Sequence, residues 1–464
     1  MLRTPHGWWL GDVGPVADAA PPLAGQERAD VAIAGGGFTG MWAAWHLLER
    51  APGIRVALLD AAVCGEGPSG RNGGFVDHLA HAAPRLRERF GDAAARETVR
   101  ASVRAVADIG AWCEREGIDA WFTPAGQVVA SAAPAQDGGE DAAIAACAAL
   151  GLERELRPLN PEEVAARCAS PVLRGGAWAP STATVHPARL ARGLRARLVE
   201  RGVRLFEHSP VRALRAARGG IELRTPGGAL RARAAVLGLN AHSAAVGPLR
   251  RRLTVTSSHM VMTEPVPDVL EACGWTGGEA ITDGRHLVHY FRTTPDGRIA
   301  FGWGGGRIVC GGRLQPRDDL DARLARRVAA DLVRFFPALR GRPLAHAWGG
   351  PIDASPIHLP VVQRLPGGPV FAAHGYTGNG VGPSHLCGAI LARLALDEHD
   401  ELTALPLVGA PPALPPEPLR VLGGEAVRLA LDRKERAEER GEAPAAPARA
   451  LARLPALLGV EIGR

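Results

Sequence analysis

The stretch VAIAGGGFTG, Val31 to Gly40, decides how this chain is read. A short apolar run enters Gly35-Gly36-Gly37, and a further glycine, Gly40, falls inside the helix expected to follow. About twenty residues later a second apolar run, Val56-Ala57-Leu58-Leu59, ends in Asp60. These are the parts of a dinucleotide-binding βαβ unit. Gly35 allows a tight turn, Gly37 lets the backbone approach a pyrophosphate, and Gly40 lets helix and strand pack closely. The helix N-terminus then faces phosphate charge, and Asp60 can accept hydrogen bonds from a ribose. One such fingerprint carries little weight in a chain with 58 glycines. Strand, helix and acidic residue in phase carry more.

Composition narrows the alternatives. At 464 residues the chain is too long for one ordinary core, so two domains with appendages are expected. Apolar residues at 46% and charged residues at 22% fit a soluble globular protein. No apolar run approaches the roughly 18 residues that span a bilayer, and Trp8-Trp9-Leu10 is too short for a signal-peptide core. A cytoplasmic enzyme is the expectation. The net charge of +6 comes from arginines scattered among acids, without the basic stripe and interleaved aromatics that nucleic acid requires. Lys434 is the one lysine, which excludes a G-K-[ST] phosphate loop and leaves a Schiff-base role only in a charged tail. The seven cysteines include no CxxC pair and the fifteen histidines no HExxH spacing, so neither a disulfide framework nor a metal site is expected.

Residues 1–27 read as a Pro/Gly/Ala-rich arm pinned by its tryptophans. Helical spacing covers 85–117, a strand 126–130 and an Ala-rich helix 140–150. A helix at 188–201 precedes short strands at 203–207, 211–215, 221–224 and 235–239, and 250–312 is strand-like. A charged helix spans 318–335, Gly-rich turns recur at 348–351 and 375–382, and an apolar helix covers 384–396. A Pro-rich linker at 406–417 leads to a charged helix at 417–440 and an Ala/Pro-rich, loosely held end. The expected fold class is α/β: a Rossmann-like dinucleotide domain assembled from residues 28–90, 176–245 and 345–405. A β-rich substrate domain from 91–175 and 246–344 is inserted between those segments, and 406–464 forms a linker and helical tail.

The loop CGEGPSGRNGGF, Cys64 to Phe75, separates two classes of nucleotide enzyme. A simple nicotinamide fold continues with another helix and strand, whereas a long Gly-rich loop suits a bulky planar cofactor. At this point the chain resembles the D-amino-acid-oxidase-type FAD-dependent oxidoreductases, most of all the gamma-glutamylputrescine oxidase-like amine oxidases. The resemblance spans residues 5–440. It rests on GGGFTG (35–40), GPSGRNGGF (67–75), VHP (185–187), LGLNAHS (237–243), HYFRTTPDGRIAFGWGG (289–305), AWGGPID (347–353) and HGYTGNGV (374–381).

The resemblance implies FAD lying across both domains. Its pyrophosphate would sit over Gly35, Gly37, Phe38, Thr39 and Gly40 and its ribose at Asp60. Ser69, Arg71, Asn72 and Gly73 would contact the flavin end, and Val211 the adenine side through its backbone. Gly378, Asn379, Gly380 and Val381 would meet the pyrimidine edge, with His374 bonding a cofactor carbonyl. Relatives with covalent flavin anchor it through a cysteine near AWGGPID or a histidine in the first Gly-rich loop. This chain has Pro351, Ile352 and Asp353 at the one and GRNGG at the other, so non-covalent FAD is implied. Amino-acid oxidases of the family clamp the substrate carboxylate with two arginines. Arg292 matches one position and Ile352 occupies the other, and the loss of a bidentate fork argues against simple amino acids. A lysine that assists reaction with oxygen in sarcosine-oxidase relatives has no counterpart here.

Tyr290 and Tyr376, the two tyrosines, fall in segments that the resemblance places around the flavin, although each also suits a core aromatic. Arg292 is a candidate for an anionic substrate group, and Trp303 and Trp348 for walls of the pocket. His259 and His289 are candidate bases, but both sit in apolar company where a core histidine is the commoner outcome. The expected reaction is oxidation of a primary or secondary amine carrying an anionic group. Hydride passes to flavin N5, and the imine hydrolyses to an aldehyde. Electrons then go to oxygen or, in the alternative, to a carrier. A specialised biosynthetic oxidoreductase acting on an amino acid or aminophosphonate also stays open. The helix at 417–440 carries Leu419, Leu422, Val427 and Leu431 at helical spacing with acids mixed among bases. That pattern suits docking on the chain's own body or on a second subunit in a homo-oligomer, and not a membrane surface.

Overall fold

The computed structural model describes residues 2–3, 6–457 and 459–461. Its centre is a six-stranded sheet in the spatial order Arg204–Phe206, Val56–Leu59, Val31–Ala34, Ala234–Leu237, Val370–His374, Val361–Leu365. The first five strands run parallel and the last is antiparallel. Val31–Ala34 and Val56–Leu59 are buried along their whole length, the pattern of strands covered on both faces. On one face lie the helices Phe38–Arg50, Ala83–Arg115 and Val381–Ala395. The first and last approach so closely that a Cβ at Gly388 would stand 2.7 Å from the Trp42 side chain. A four-stranded sheet that includes Gly25–Arg28 and Gly228–Ala232 covers the opposite face.

A nine-stranded mixed sheet forms the second layer system, with Thr254–Thr263 and Leu344–Ala354 as its long strands. The helix Ala322–Phe335 packs on it through Ala325, Val328, Leu332 and Phe335, a stripe at steps of three and four residues. Asp321 caps that helix by accepting from the Arg323 and Leu324 amides. Among the described residues no helix is long and apolar enough to cross a membrane. None of their His, Cys, Asp and Glu side chains is grouped to hold a metal ion.

Several sequence expectations shift. The strand expected at 211–215 begins at Ala213, which leaves Val211 in the connection before it. The strand-like 250–312 is interrupted by the helix Pro267–Ala272. The long helix Ala83–Arg115 bends at Gly91, whose φ of 79° breaks the helical path, and packs on the dinucleotide side through Trp112 against Trp42. Gly176–Ala179 joins the large sheet beside Gln127–Ala130. The helix expected at 384–396 starts at Val381. The supposedly loose end forms a second helix, Ala446–Leu457, packed along Leu419–Glu439.

Candidate active site

One cavity of about 1780 Å³ runs between the two sheets. That exceeds the roughly 300–1,000 Å³ of ordinary ligand pockets and leaves room for a dinucleotide and a substrate together. Its walls hold Gly35, Gly37, Phe38 and Thr39 of the fingerprint, Asp60, then Ser69, Arg71, Asn72 and Gly73 of the second loop. Val211 and Gly378, Asn379, Gly380 and Val381 complete the expected cofactor surface.

Gly35 and Gly40 have the local geometry that a tight turn and close packing require. Gly35 has φ +103°, and a Cβ there would stand 2.3 Å from the Gly238 carbonyl just past the adjacent strand. Gly40 lies just behind the wall, where a Cβ would stand 2.0 Å from the Gly35 carbonyl oxygen. Phe38 donates its amide to Ser69 Oγ at 2.8 Å, which ties the second loop to the start of the first helix. Asp60 accepts from the Gly36 amide at 2.6 Å and from Ala62 at 2.8 Å, which fixes its carboxylate at the turn. Asn72 staples its own loop: its amide donates to the Pro68 and Ser69 carbonyls, and its oxygen accepts from Gly74 at 2.7 Å. Because the helix Val381–Ala395 starts earlier than expected, Gly380 is its N-cap residue, and the loop 378–380 abuts the positive end of the helix directly.

Another part of the lining is aromatic. Tyr290, Tyr376 and Trp348 line the cavity. Ser258 Oγ donates to the Trp303 carbonyl at 3.0 Å, so the Tyr290 hydroxyl, 2.6 Å from Ser258, is the donor between them. Burial pushes the Tyr290 phenol up to about 12, so it stays neutral. Tyr376 bonds Thr39 at 2.8 Å, and Trp348 donates its indole N–H to the Arg71 carbonyl at 2.8 Å.

Five candidates lie behind the wall instead. Arg292 donates to the backbone carbonyls of Gly74, Val185 and Thr293, with Trp9 beside it. It clamps the second loop, and burial lowers its pKa to about 9. Arg292→Met should therefore lower unfolding free energy by about 2–4 kcal/mol, since it takes a donor from the buried Gly74 and Val185 carbonyls and from the part-buried Thr293 carbonyl. Denaturant midpoints should move while the ranking of substrates stays unchanged. His289 is held between Asp283 at 2.6 Å and Asp331 at 3.3 Å, on the face of the sheet that carries Phe301 and against Phe335 of the helix packed on that face. His259 bonds Ser257, and burial drops its pKa to about 4. His374 is fully buried and likewise pushed down to about 4 by burial. Trp303 packs under the Arg327 guanidinium, 3.6 Å from its ring centre.

The sequence reading missed Asp353 as a site residue. It lines the cavity, accepts from the Gly375 amide at 2.6 Å and from the Asn240 side chain at 3.3 Å, and burial pushes its carboxyl up to about 7. Its place in AWGGPID, beside the loop opened by Gly375, was the available signal. The C-terminal helices also reach the cavity, through Leu419, Val427 and Leu431 among others.

A family model described as FAD dependent oxidoreductase (DAO) matches residues 30–394. The chain belongs to that family. Among its relatives is a probable oxidoreductase OrdL of Rhizobium meliloti (strain 1021), 28% identical over 411 residues, covering 86% of this chain and 90% of the relative. Gamma-glutamylputrescine oxidoreductase of Escherichia coli (strain K12) is 27% identical over 384 residues, covering 81% and 85%. The fold matches glycine oxidase from Geobacillus kaustophilus with a TM-score of 0.67 at 21% identity, over 81% of this chain and 96% of that one.

FAD is the cofactor of this DAO-family oxidoreductase, and the bare glycine turn, the fixed Asp60 carboxylate and the two helix starts at the cavity fit it. Neither position used for covalent attachment holds a cysteine or histidine. Acid precipitation should therefore leave the flavin in the supernatant; yellow colour in the washed pellet would contradict non-covalent binding.

Proposed function

We propose that the enzyme oxidises the C–N bond of a primary or secondary amine to an imine that hydrolyses to an aldehyde. The observation that carries this reading is an aromatic part of the cavity lining: Tyr290, Trp348 and Tyr376 lie there, Ile352 lies there at the position where the resemblance puts a carboxylate-binding arginine, and Arg292 is spent on backbone carbonyls. Such a wall suits an amine better than an α-amino acid, whose carboxylate would enter without a guanidinium fork. The relation to gamma-glutamylputrescine oxidoreductase supports the same class. Bound FAD supplies the two-electron acceptor. The chain's residues orient the reacting carbon and exclude water. The aromatic surroundings favour the neutral amine, because burial disfavours its charged form.

A panel of amines, amino acids and hydroxy acids mixed anaerobically with the holoenzyme tests this. Amines should bleach the flavin absorbance, and bleaching only by α-amino acids or hydroxy acids would refute the reading. A carrier as electron acceptor is the second reading. It is supported by Lys434, the single lysine, which lies on the helix Leu419–Glu439 paired with Glu438 at 2.7 Å. Dye reduction should then outpace peroxide formation.

A further inference from the structure

The family match ends at residue 394, yet the chain beyond it shares the cavity. On the helix Leu419–Glu439, the residues Leu419, Gly423, Val427 and Leu431 recur every four positions and form one stripe along the cavity wall. Leu454 and Pro455 of the returning helix Ala446–Leu457 join them. The stripe is seated on the loop that follows the strand Ile299–Trp303. Glu425 accepts the Ile308 amide, and Arg428 donates to the Gly305 carbonyl at 3.3 Å. A Cβ at Gly424 would stand 3.2 Å from the Ile308 side chain. Strand Ile299–Trp303 is the direct neighbour of the strand that carries Tyr290. Beyond Val460, Glu461 donates its amide to the Pro356 carbonyl at 2.9 Å and faces Arg89 of the dinucleotide side at 3.5 Å. The tail thus runs from the large sheet to the dinucleotide side along the cavity lining.

The charged groups along this stripe already have partners. Arg428 is held by Glu425, and Arg420 by Glu417 and the Arg250 and Leu253 carbonyls. What the stripe offers to the cavity is apolar. Resting on the amine reading above, we infer that the C-terminal helices are the far wall of the substrate pocket and that the amine carries an extended apolar substituent directed against them.

Gly423 gives the test. Its backbone is helical, and a Cβ there meets nothing within 4 Å, so a larger side chain projects into open space. Replacing a mid-helix glycine also favours the helix, so Gly423→Trp should fold. The probes are n-alkylamines from propyl to decyl, followed by anaerobic flavin bleaching of the full-length holoenzyme. In the parent enzyme kcat/KM should rise about fourfold per methylene until the wall is reached. Gly423→Trp should lower it at least tenfold for the long amines, leaving the short ones and the FAD content unchanged. A flat dependence on chain length, an equal loss for short and long amines, or a fall in FAD content would overturn the inference. Binding of n-alkanols, read from the visible flavin spectrum, needs no turnover. Chain-length-dependent binding that Gly423→Trp abolishes would uphold the apolar wall even if no amine were oxidised, in which case the amine reading alone would fail. Alkanol binding that ignores the variant would overturn the wall.

Discussion

Gly40→Val should yield a protein without flavin. A Cβ at position 40 would lie 2.0 Å from the Gly35 carbonyl oxygen and 3.0 Å from the Ile33 side chain, so the first side-chain atom meets backbone. No rotamer relieves that contact; either the helix Phe38–Arg50 or the turn at Gly35 must move. Overpacking of this kind typically costs about 1–3 kcal/mol, and here the displacement falls on the turn beside the fixed Asp60 carboxylate. Flavin occupancy, read as the ratio of visible to ultraviolet absorbance, should drop more than tenfold. Gly67→Ala is the matched control, because Gly67 lines the same cavity and a Cβ there meets nothing within 4 Å. It should stay yellow. Equal flavin content in the two variants would refute the close-packing role of Gly40.

That contrast also shows what could be read from the chain alone. Glycines in a dinucleotide turn answer to local backbone geometry, so their spacing speaks directly. The choice between the two faces of a buried strand does not. In Thr254–Thr263 the residues Thr254, Thr256, Ser258 and Met260 line the cavity, and alternation sends His259 to the other side. Both faces of that strand are largely buried, so hydrophobicity gives no sign of which one meets the ligand. The same alternation separates Tyr290 from His289. Arg292 failed for a different reason. It shares a face with Tyr290, but two residues along a strand is about 7 Å. That distance carries its guanidinium out of the cavity and under the second loop. Of the tail's apolar residues at 419, 422, 427 and 431, read as one docking stripe, two pack on the chain's own body. Val427 and Leu431 are buried, whereas Leu419 and Leu422 are 64% and 65% exposed. The adjacent Gly423 and Gly424, unfavourable inside a helix, were the clue that this helix bordered a space.

The second large effect is expected where that tail is anchored. Arg285 and Glu435 are 1% and 2% exposed and bond at 3.1 Å, and Glu439 joins Arg285 at 2.7 Å. Glu435 also accepts the His286 amide at 2.6 Å. Glu435→Gln keeps an acceptor for that amide but leaves the buried guanidinium with only the Glu439 and Asp283 charges to compensate it. Removing one partner of a buried pair costs about 3–5 kcal/mol, because the remaining charge loses its compensation. Since Glu439 persists, the lower end is expected at pH 7, measured by urea unfolding. Arg285→Met combined with Glu435→Leu should recover most of the loss, as apolar replacement of buried pairs often does. Acid should act in the same direction. Burial alone would raise the Glu435 carboxyl, but the His286 hydrogen bond and the Arg285 charge outweigh it and hold it below its ordinary value of 4.5. Asp331 is likewise pulled down to about 2, where burial is outweighed by its bond to His289 and by the His289 charge. For such depressed carboxyls the stabilisation is complete above the ordinary value and is lost as pH falls through the folded one. Stability of the parent protein should therefore fall between about pH 4.5 and pH 2, and Glu435→Gln should fall less steeply because one of the responsible groups is gone. If the variant and the parent lost stability in parallel across that range, the Glu435 carboxylate would not be the charge that holds the tail.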